Sequence, residues 1–204
     1  MLDLPALFGQ IDIYLFDQLL RGRIPAGATV LEAGCGAGRN LVFFLREGYT
    51  VLALDPDPAA IGTVRSLASR LAPALPASNF RAESAEANGF PDAAADVVIS
   101  SAVLHFARDE AHFLAMLSGT WRLLRPGGIF FCRLASTIGM ENRVVPLGGR
   151  RFALPDRSER FLVDEALLLR LGSELGGKLI DPLKTTVVQD RRAMTTWVLR
   201  RTSP

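Results

Sequence analysis

Lysine is nearly missing from this chain: of 23 basic residues only Lys178 and Lys184 are lysines. Histidine and cysteine are equally scarce, at two each. His105, His112, Cys35 and Cys132 show no metal-ligand spacing, so no metal site is expected. The cysteines read as reduced core residues and point to the cytoplasm. A long apolar run is also lacking. Residues 1–16 are interrupted by Asp3, Pro5 and Asp12 and carry no basic leader, which fits neither a signal peptide nor a membrane span. No charge of one sign dominates. The net charge is +2 and the arginines are scattered, which argues against a nucleic-acid-binding surface. The arginine bias, beside so many alanines, reads as compositional. Internal repeats are absent, and the one biased tract is the Ala/Pro-rich stretch 71–77.

What remains is an ordinary globular composition, 204 residues with 49% apolar and 22% charged, enough for one domain with a core. Its centre is Val30-Leu31-Glu32-Ala33-Gly34-Cys35-Gly36-Ala37-Gly38-Arg39-Asn40. The apolar run 30–33 predicts a buried parallel strand. Leu41, Phe44 and Leu45 recur at helical spacing, predicting a helix over 40–47 that Gly48 ends. Strand, glycine turn and helix make the first unit of a nucleotide-binding sheet. The glycines let the backbone turn tightly and approach a ligand. Their spacing narrows the ligand: Arg39 stands where a dinucleotide fingerprint has its last glycine, and no Gly-Lys-Ser or Gly-Lys-Thr follows for a phosphate loop.

The remaining chain alternates similarly. Residues 11–20 predict a helix over the ligand edge, and 50–54 a second buried strand ending in Asp55-Pro56-Asp57-Pro58. An acid at the end of that strand suits ribose hydroxyls. Asp57 fits a helix N-cap better, which leaves Asp55 for a ligand. A helix over 59–71, a strand over 79–82, the acidic turn Glu83-Ser84-Ala85-Glu86 and a strand over 96–100 follow. Ser100 then falls at a ligand-binding strand end. A helix over 110–124 precedes Arg125-Pro126-Gly127-Gly128 and a strand over 129–134. Residues 136–160 read as an irregular loop, too long for an ordinary connector. A helix over 163–175 and an antiparallel hairpin of 179–188 with 194–199 close the chain.

An acid followed by Gly-x-Gly-x-Gly resembles motif I of the class I S-adenosylmethionine-dependent methyltransferases. Phe90-Pro91-Asp92, the run Asp96-Val97-Val98 and Leu124-Arg125-Pro126-Gly127-Gly128 resemble the same family. At its adenine-flanking motif, where the family often has Asp-Ala, this chain has Ser84-Ala85. The resemblance covers nearly the whole chain. It implies a Rossmann-like, doubly wound α/β sheet of seven strands, mostly parallel with an antiparallel last strand. It also implies a single domain over 1–204: an N-terminal helical cover (1–27), a cofactor-binding core (28–135), a substrate-side loop (136–160), and a helix with a closing hairpin (161–204).

The implied reaction moves the methyl of S-adenosylmethionine to a small-molecule acceptor, leaving S-adenosylhomocysteine, mainly through positioning and desolvation. Carried over by position, Gly34, Gly36 and Gly38 let the backbone approach the methionyl part. Glu32 fixes that loop and the amino group, and Arg39 and Asn40 reach the carboxylate. Tyr14 lies over the same end, Asp55 holds the ribose, and Pro56, Ser84, Ala85, Glu86 and Ser100 complete the site. His105 stands near the mouth, either as a general base or as a packing and capping residue. His112 reads as a surface residue on a helix. Arg133 on the fifth strand and Arg143, Arg150, Arg151, Arg157 and Arg160 in the loop suit an anionic acceptor, or simply a solvated loop. Neither nucleic acid nor membrane is an expected partner, and the chain is expected as a monomer or homodimer. Two rivals stay open, a non-catalytic S-adenosylmethionine-binding module and a nicotinamide-dependent oxidoreductase. Glu32 and Arg39 speak against the second.

Overall fold

The computed structural model describes residues 3–202; the outermost two residues at each end of the expected domain lie outside this range. Two short helices come first, α1 (Leu4–Phe8) and α2 (Ile13–Leu20). There follow β1 (Thr29–Ala33), α3 (Val42–Arg46), β2 (Thr50–Leu54), α4 (Pro58–Leu71), β3 (Phe80–Arg81), β4 (Ala95–Ser101), α5 (Glu110–Trp121) and β5 (Leu124–Ser136). The chain continues through β6 (Val145–Gly148), β7 (Arg151–Ala153), β8 (Glu159–Phe161), α6 (Glu165–Glu174), β9 (Gly177–Leu179), β10 (Lys184–Val188) and β11 (Arg192–Arg201). Asp12, Asp57, Asp109 and Asp164 each cap a helix, a carboxylate oxygen accepting an otherwise orphaned N–H of the first turn.

The large sheet runs β10-β11-β5-β4-β1-β2-β3, with β9 also on β11. β1 to β5 are parallel and β11 runs against β5. This is the expected doubly wound sheet, and its central strands are apolar because helices cover both faces. On one face Leu31, Val98, Phe130 and Trp197 pack against α5 and α6 through Phe113, Leu117, Leu168 and Leu171. On the other, Val30, Val97, Phe131 and Val198 meet Leu15, Phe44, Leu45, Ile61 and Val64 of α2, α3 and α4. Each such fully buried side chain contributes ~1.5–3 kcal/mol. Among the described residues no helix is long and apolar enough to cross a membrane.

Two expectations change. The stretch 136–160 is not irregular: β6, β7 and β8 form a separate antiparallel sheet. Its turns are made by Gly148 and Gly149 at φ 121° and 54°, and by Arg157 at φ 69°. Strands this short carry too few residues to reveal a two-residue alternation. The strand expected over 179–188 is also broken. β9 and β10 share one edge of β11, separated at Asp181-Pro182. Pro182 has no N–H for the ladder, and Asp181 turns inward to Gln18 and Arg23, at 2.9 and 2.7 Å.

Candidate active site

Two adjoining cavities open at the carboxyl ends of the parallel strands, where ligands of such sheets bind. The first, about 410 Å³, is lined by Gly34, Gly36, Asp55, Pro56, Ser84, Ala85 and Glu86, with Ala102, Val103, Phe106, His112 and Met116 opposite. β1 delivers the chain to it and the loop bends back at once. The N–H groups of Gly34 and Cys35 both donate to the Leu54 carbonyl, at 2.8 and 3.1 Å, which pins the turn to the end of β2. Gly36, at φ 50°, faces open space where a Cβ would project. Gly38 is packed instead against Val64 and Leu67 of α4 and lies outside the cavity lining.

Asp55 is oriented by backbone donors alone. Its Oδ2 accepts from Gly36 N–H at 2.9 Å and its Oδ1 from Asp57 N–H at 3.0 Å. Asp57 caps α4 through Ala59 N–H, as expected, and Asp55 lines the cavity. Opposite, His112 Nε2 lies 3.4 Å from Glu86 Oε1, which brings His112 into the cavity wall rather than leaving it on a remote surface. Its position two residues into α5, on the side facing residues 84–86, is a tertiary fact that helical spacing does not reveal.

Behind the glycine loop lies a buried polar chain. Glu32, 2% exposed, accepts from Asn40 Nδ2 at 2.6 Å, while its second oxygen has no partner. Burial pushes this carboxyl up to about 8, against the hydrogen bond from Asn40 and the charge of Arg39. Asn40 Oδ1 accepts the Asp12 N–H at 2.9 Å, and Asp12 Oδ2 receives Arg133 Nη1 at 3.0 Å. Arg39 donates to Ser101 Oγ at 3.0 Å. The Tyr14 hydroxyl meets Thr186 Oγ1 at 2.7 Å, with the Arg133 guanidinium 5.5 Å from its ring centre. Tyr14, Glu32, Arg39 and Asn40 therefore support the site from behind instead of lining it. Ser100 is fully buried one residue before the end of β4, so the cavity edge is made by Ala102 rather than by Ser100.

The second cavity, about 290 Å³, shares Ala102 and Phe106 with the first. Ala102 holds a left-handed φ of 63°, and its N–H donates to the Arg133 carbonyl at 2.7 Å. The small sheet and its turn supply Leu154, Asp156, Ser158 and Arg160, the end of β10 supplies Val188, and the start of β11 supplies Arg192 and Met194. His105 and Arg133 complete the polar wall. The His105 Nδ1 accepts the Ala135 N–H at 3.2 Å. Burial first, then the charges of Arg160 and Arg192, pull the imidazole down to about 4. A base for neutral pH needs a pKa near 7, so His105 is poorly suited to that role. Arg143 is exposed, pairs with Asp190, and lines neither cavity. Arg192 was not singled out in the sequence because nothing local to the first residue of β11 shows that it meets the residues around 158.

Residues 31–132 match a family model described as the methyltransferase domain. The chain is 29% identical over 181 residues to a probable S-adenosylmethionine-dependent methyltransferase of Mycolicibacterium smegmatis, a match covering 81% of this chain and 66% of that protein. It is 33% identical over 105 residues to a ubiquinone biosynthesis O-methyltransferase of Methylocella silvestris, over 52% of this chain and 39% of that one. The matches span less than two thirds of either relative. The fold superposes on Burkholderia thailandensis 1,6-didemethyltoxoflavin-N1-methyltransferase, solved with 1,6-didemethyltoxoflavin and S-adenosylhomocysteine. The TM-score is 0.69 at 21% identity, over 96% of this chain and 80% of that one. Family model, relatives and fold agree: the chain belongs to the class I S-adenosylmethionine-dependent methyltransferases.

Proposed function

We propose that this protein transfers the methyl group of S-adenosylmethionine to a small anionic acceptor, with the cofactor in the 410 Å³ cavity and the acceptor in the 290 Å³ cavity beside it. The observation that carries this reading is the junction of the two cavities at Ala102 and Phe106. A methyl group need only cross that boundary. The residues fit the cofactor. Gly36 leaves room where a side chain would intrude, and Glu32 keeps one carboxylate oxygen unpartnered beneath the loop. When bound, the cofactor supplies a methyl group already activated on a sulfonium, so the protein's task is alignment and exclusion of water.

In this reading Asp55, fixed by the Gly36 and Asp57 amides, accepts the ribose hydroxyls beside Pro56. Ser84, Ala85, Glu86 and His112 bound the base. Glu32 and Asn40 steady the glycine loop toward the amino end, and Arg39, tied to Ser101, holds the loop's far side. Residues 3–27 cover the core 28–135, residues 136–160 wall the acceptor side, and 161–202 close the sheet. Arg133, Arg160 and Arg192 against the single acid Asp156 leave the acceptor cavity net positive, which favours an anion. The fold neighbour solved with 1,6-didemethyltoxoflavin is named for that small organic acceptor, and two relatives are named for trans-aconitate and for malonyl-[acyl-carrier protein].

Calorimetry with S-adenosylmethionine, S-adenosylhomocysteine and NAD, on the native protein and on Asp55→Ala, tests the cofactor. Micromolar binding of the first two, weakened at least tenfold in the variant, is expected. Binding of NAD alone would sink the assignment. Release of S-adenosylhomocysteine over a panel of small acids then tests turnover and separates an enzyme from a cofactor-binding module.

A further inference from the structure

We propose that the acceptor cavity is an oxyanion site. It takes an acidic acceptor as its conjugate base, His105 donates a hydrogen bond from Nε2, Arg160 and Arg192 flank the anion, and no general base takes part. The proposal rests on the methyl-transfer reading and specifies its acceptor.

The tautomer of His105 follows from its partner. A backbone N–H only donates, so the Nδ1 facing Ala135 N–H at 3.2 Å must carry a lone pair. In a neutral imidazole the hydrogen is then on Nε2. Nε2 has no partner among the described residues, and His105 lines the cavity, so that N–H is available to a ligand there. To act as a base, His105 would have to give up the Ala135 bond and become a cation beside two guanidiniums. The charged groups lining the cavity around it are Arg133 from β5, Arg160 from β8, Arg192 from β11 and Asp156 from the β7–β8 turn. Burial and Arg160 and Arg192 together disfavour the imidazolium, in agreement with this geometry.

The arginines differ in what occupies them. Arg133 is held by Asp12 at 3.0 Å. Among the described residues Arg160 bonds only the Glu159 carbonyl, its guanidinium lying 4.8 Å from the Phe106 ring centre, and neither Arg160 nor Arg192 is in an ion pair. Asp156 is held ionised by the Ser158 N–H and Oγ–H bonds to its Oδ1, at 3.0 and 2.5 Å, and by the charges of Arg192 and Arg160, so it offsets only one of the two guanidiniums. The rest of the wall is apolar, from Ala135, Leu154, Val188 and Met194. Two guanidiniums and one neutral donor above an apolar floor suit a small carboxylate or acidic enolate with a hydrocarbon body.

The chemistry balances without a proton acceptor. An oxygen lone pair of the anion forms the new O–C bond to the methyl as the S–C bond breaks. That bonding pair leaves on sulfur, and the negative and positive charges cancel. A neutral alcohol would have to lose its proton, to His105 only by breaking the Ala135 bond, or to Asp156, whose carboxyl is held below the usual range and so is a weak base.

The test uses protein saturated with S-adenosylhomocysteine, titrated with benzoate, cinnamate and hexanoate, each against its amide. At least one carboxylate should bind ten times more tightly than its amide. That preference should fall about tenfold in Arg160→Met, Arg192→Met and His105→Ala. It should persist within a few-fold in His105→Gln, whose amide restores a donor near Nε2. Nitrogen NMR of the two labelled histidines should show His105 with hydrogen on Nε2 and bare Nδ1 at pH 7. Amides binding as well as acids, arginine variants without effect, or a His105 titrating near 6.5 would overturn the proposal. Failure to bind S-adenosylhomocysteine at all would instead overturn the underlying methyl-transfer reading.

Discussion

Gly119, in the last turn of α5, lies directly against the backbone of Ala85, and a Cβ on it would run into the Ala85 carbonyl. The helix can approach the 84–86 segment only because this position has no side chain. That contact sets one wall of the cofactor cavity from a residue outside it. Gly119→Ala should push the segment outward, weakening S-adenosylhomocysteine binding about tenfold and costing ~1–3 kcal/mol of stability. Calorimetry and a thermal melt on one preparation measure both. A variant that loses stability but binds normally would show that the wall tolerates displacement.

Asp12 joins the first residues of α2 to the site. Its carboxylate caps Tyr14 N–H at 3.0 Å and receives Arg133 at 3.0 Å, while its own N–H reaches Asn40. Asp12→Ala removes a buried acceptor and leaves Arg133 unpaired in the acceptor wall. A loss of ~2–3 kcal/mol in urea unfolding is expected, with faster proteolysis at residues 3–20. Unchanged stability would mean that the cover is held by its apolar face alone.

Glu32 makes stability depend on pH. Its carboxyl stands at about 8 in the folded chain against 4.5 when free. Below the free value both states are protonated and nothing is lost. As pH rises, the unfolded chain ionises first, so stability falls until the folded group ionises too, near 8. The fall amounts to a few kcal/mol at most, because water and relaxation discount a buried charge. Glu32→Gln should flatten that slope between pH 5 and 8, read as urea midpoints at several pH values. An equal slope in the variant would remove Glu32 as its cause.

His105 has the opposite sign. Its imidazole is held at about 4 against 6.5 when free, so its stabilising contribution is complete above 6.5. It is lost as pH falls toward 4 and the unfolded chain takes up the proton first. His105→Gln should keep native stability at pH 7 and lose less than the wild type on going to pH 5. Equal losses would indicate that the imidazole protonates freely in the folded state.

The sheet and the first cavity were legible in the sequence because local signals carry them. Alternating glycines after an apolar run, an acid at the end of the second strand and Asp57 before Pro58 each act within a few residues. The acceptor side was legible only in part, in His105, Arg133, Arg160 and the segment 136–160. Ser158, Arg160 and Arg192 meet His105 only after three short strands fold over and a hairpin returns from the far end of the chain. Arg143 looked equivalent to Arg160 in sequence, yet the same folding carries it to Asp190, away from both cavities. Glu32 and Asn40 were recognised, but as groups facing the ligand. Their mutual bond, eight residues apart, turns them inward.

The broken strand beside β11 bears on how this chain behaves among its own copies. An open sheet edge is a template on which another molecule's backbone can pair, and long unbroken edges invite aggregation. Here one edge is the two-residue β3, and the other is cut at Pro182 into pieces of three and five residues. The chain's only lysines, Lys178 and Lys184, stand on those two pieces, and a strongly hydrated ammonium is costly to bury against a neighbour. A protein that otherwise relies on arginine thus places its lysines on the one long flank where self-association would begin.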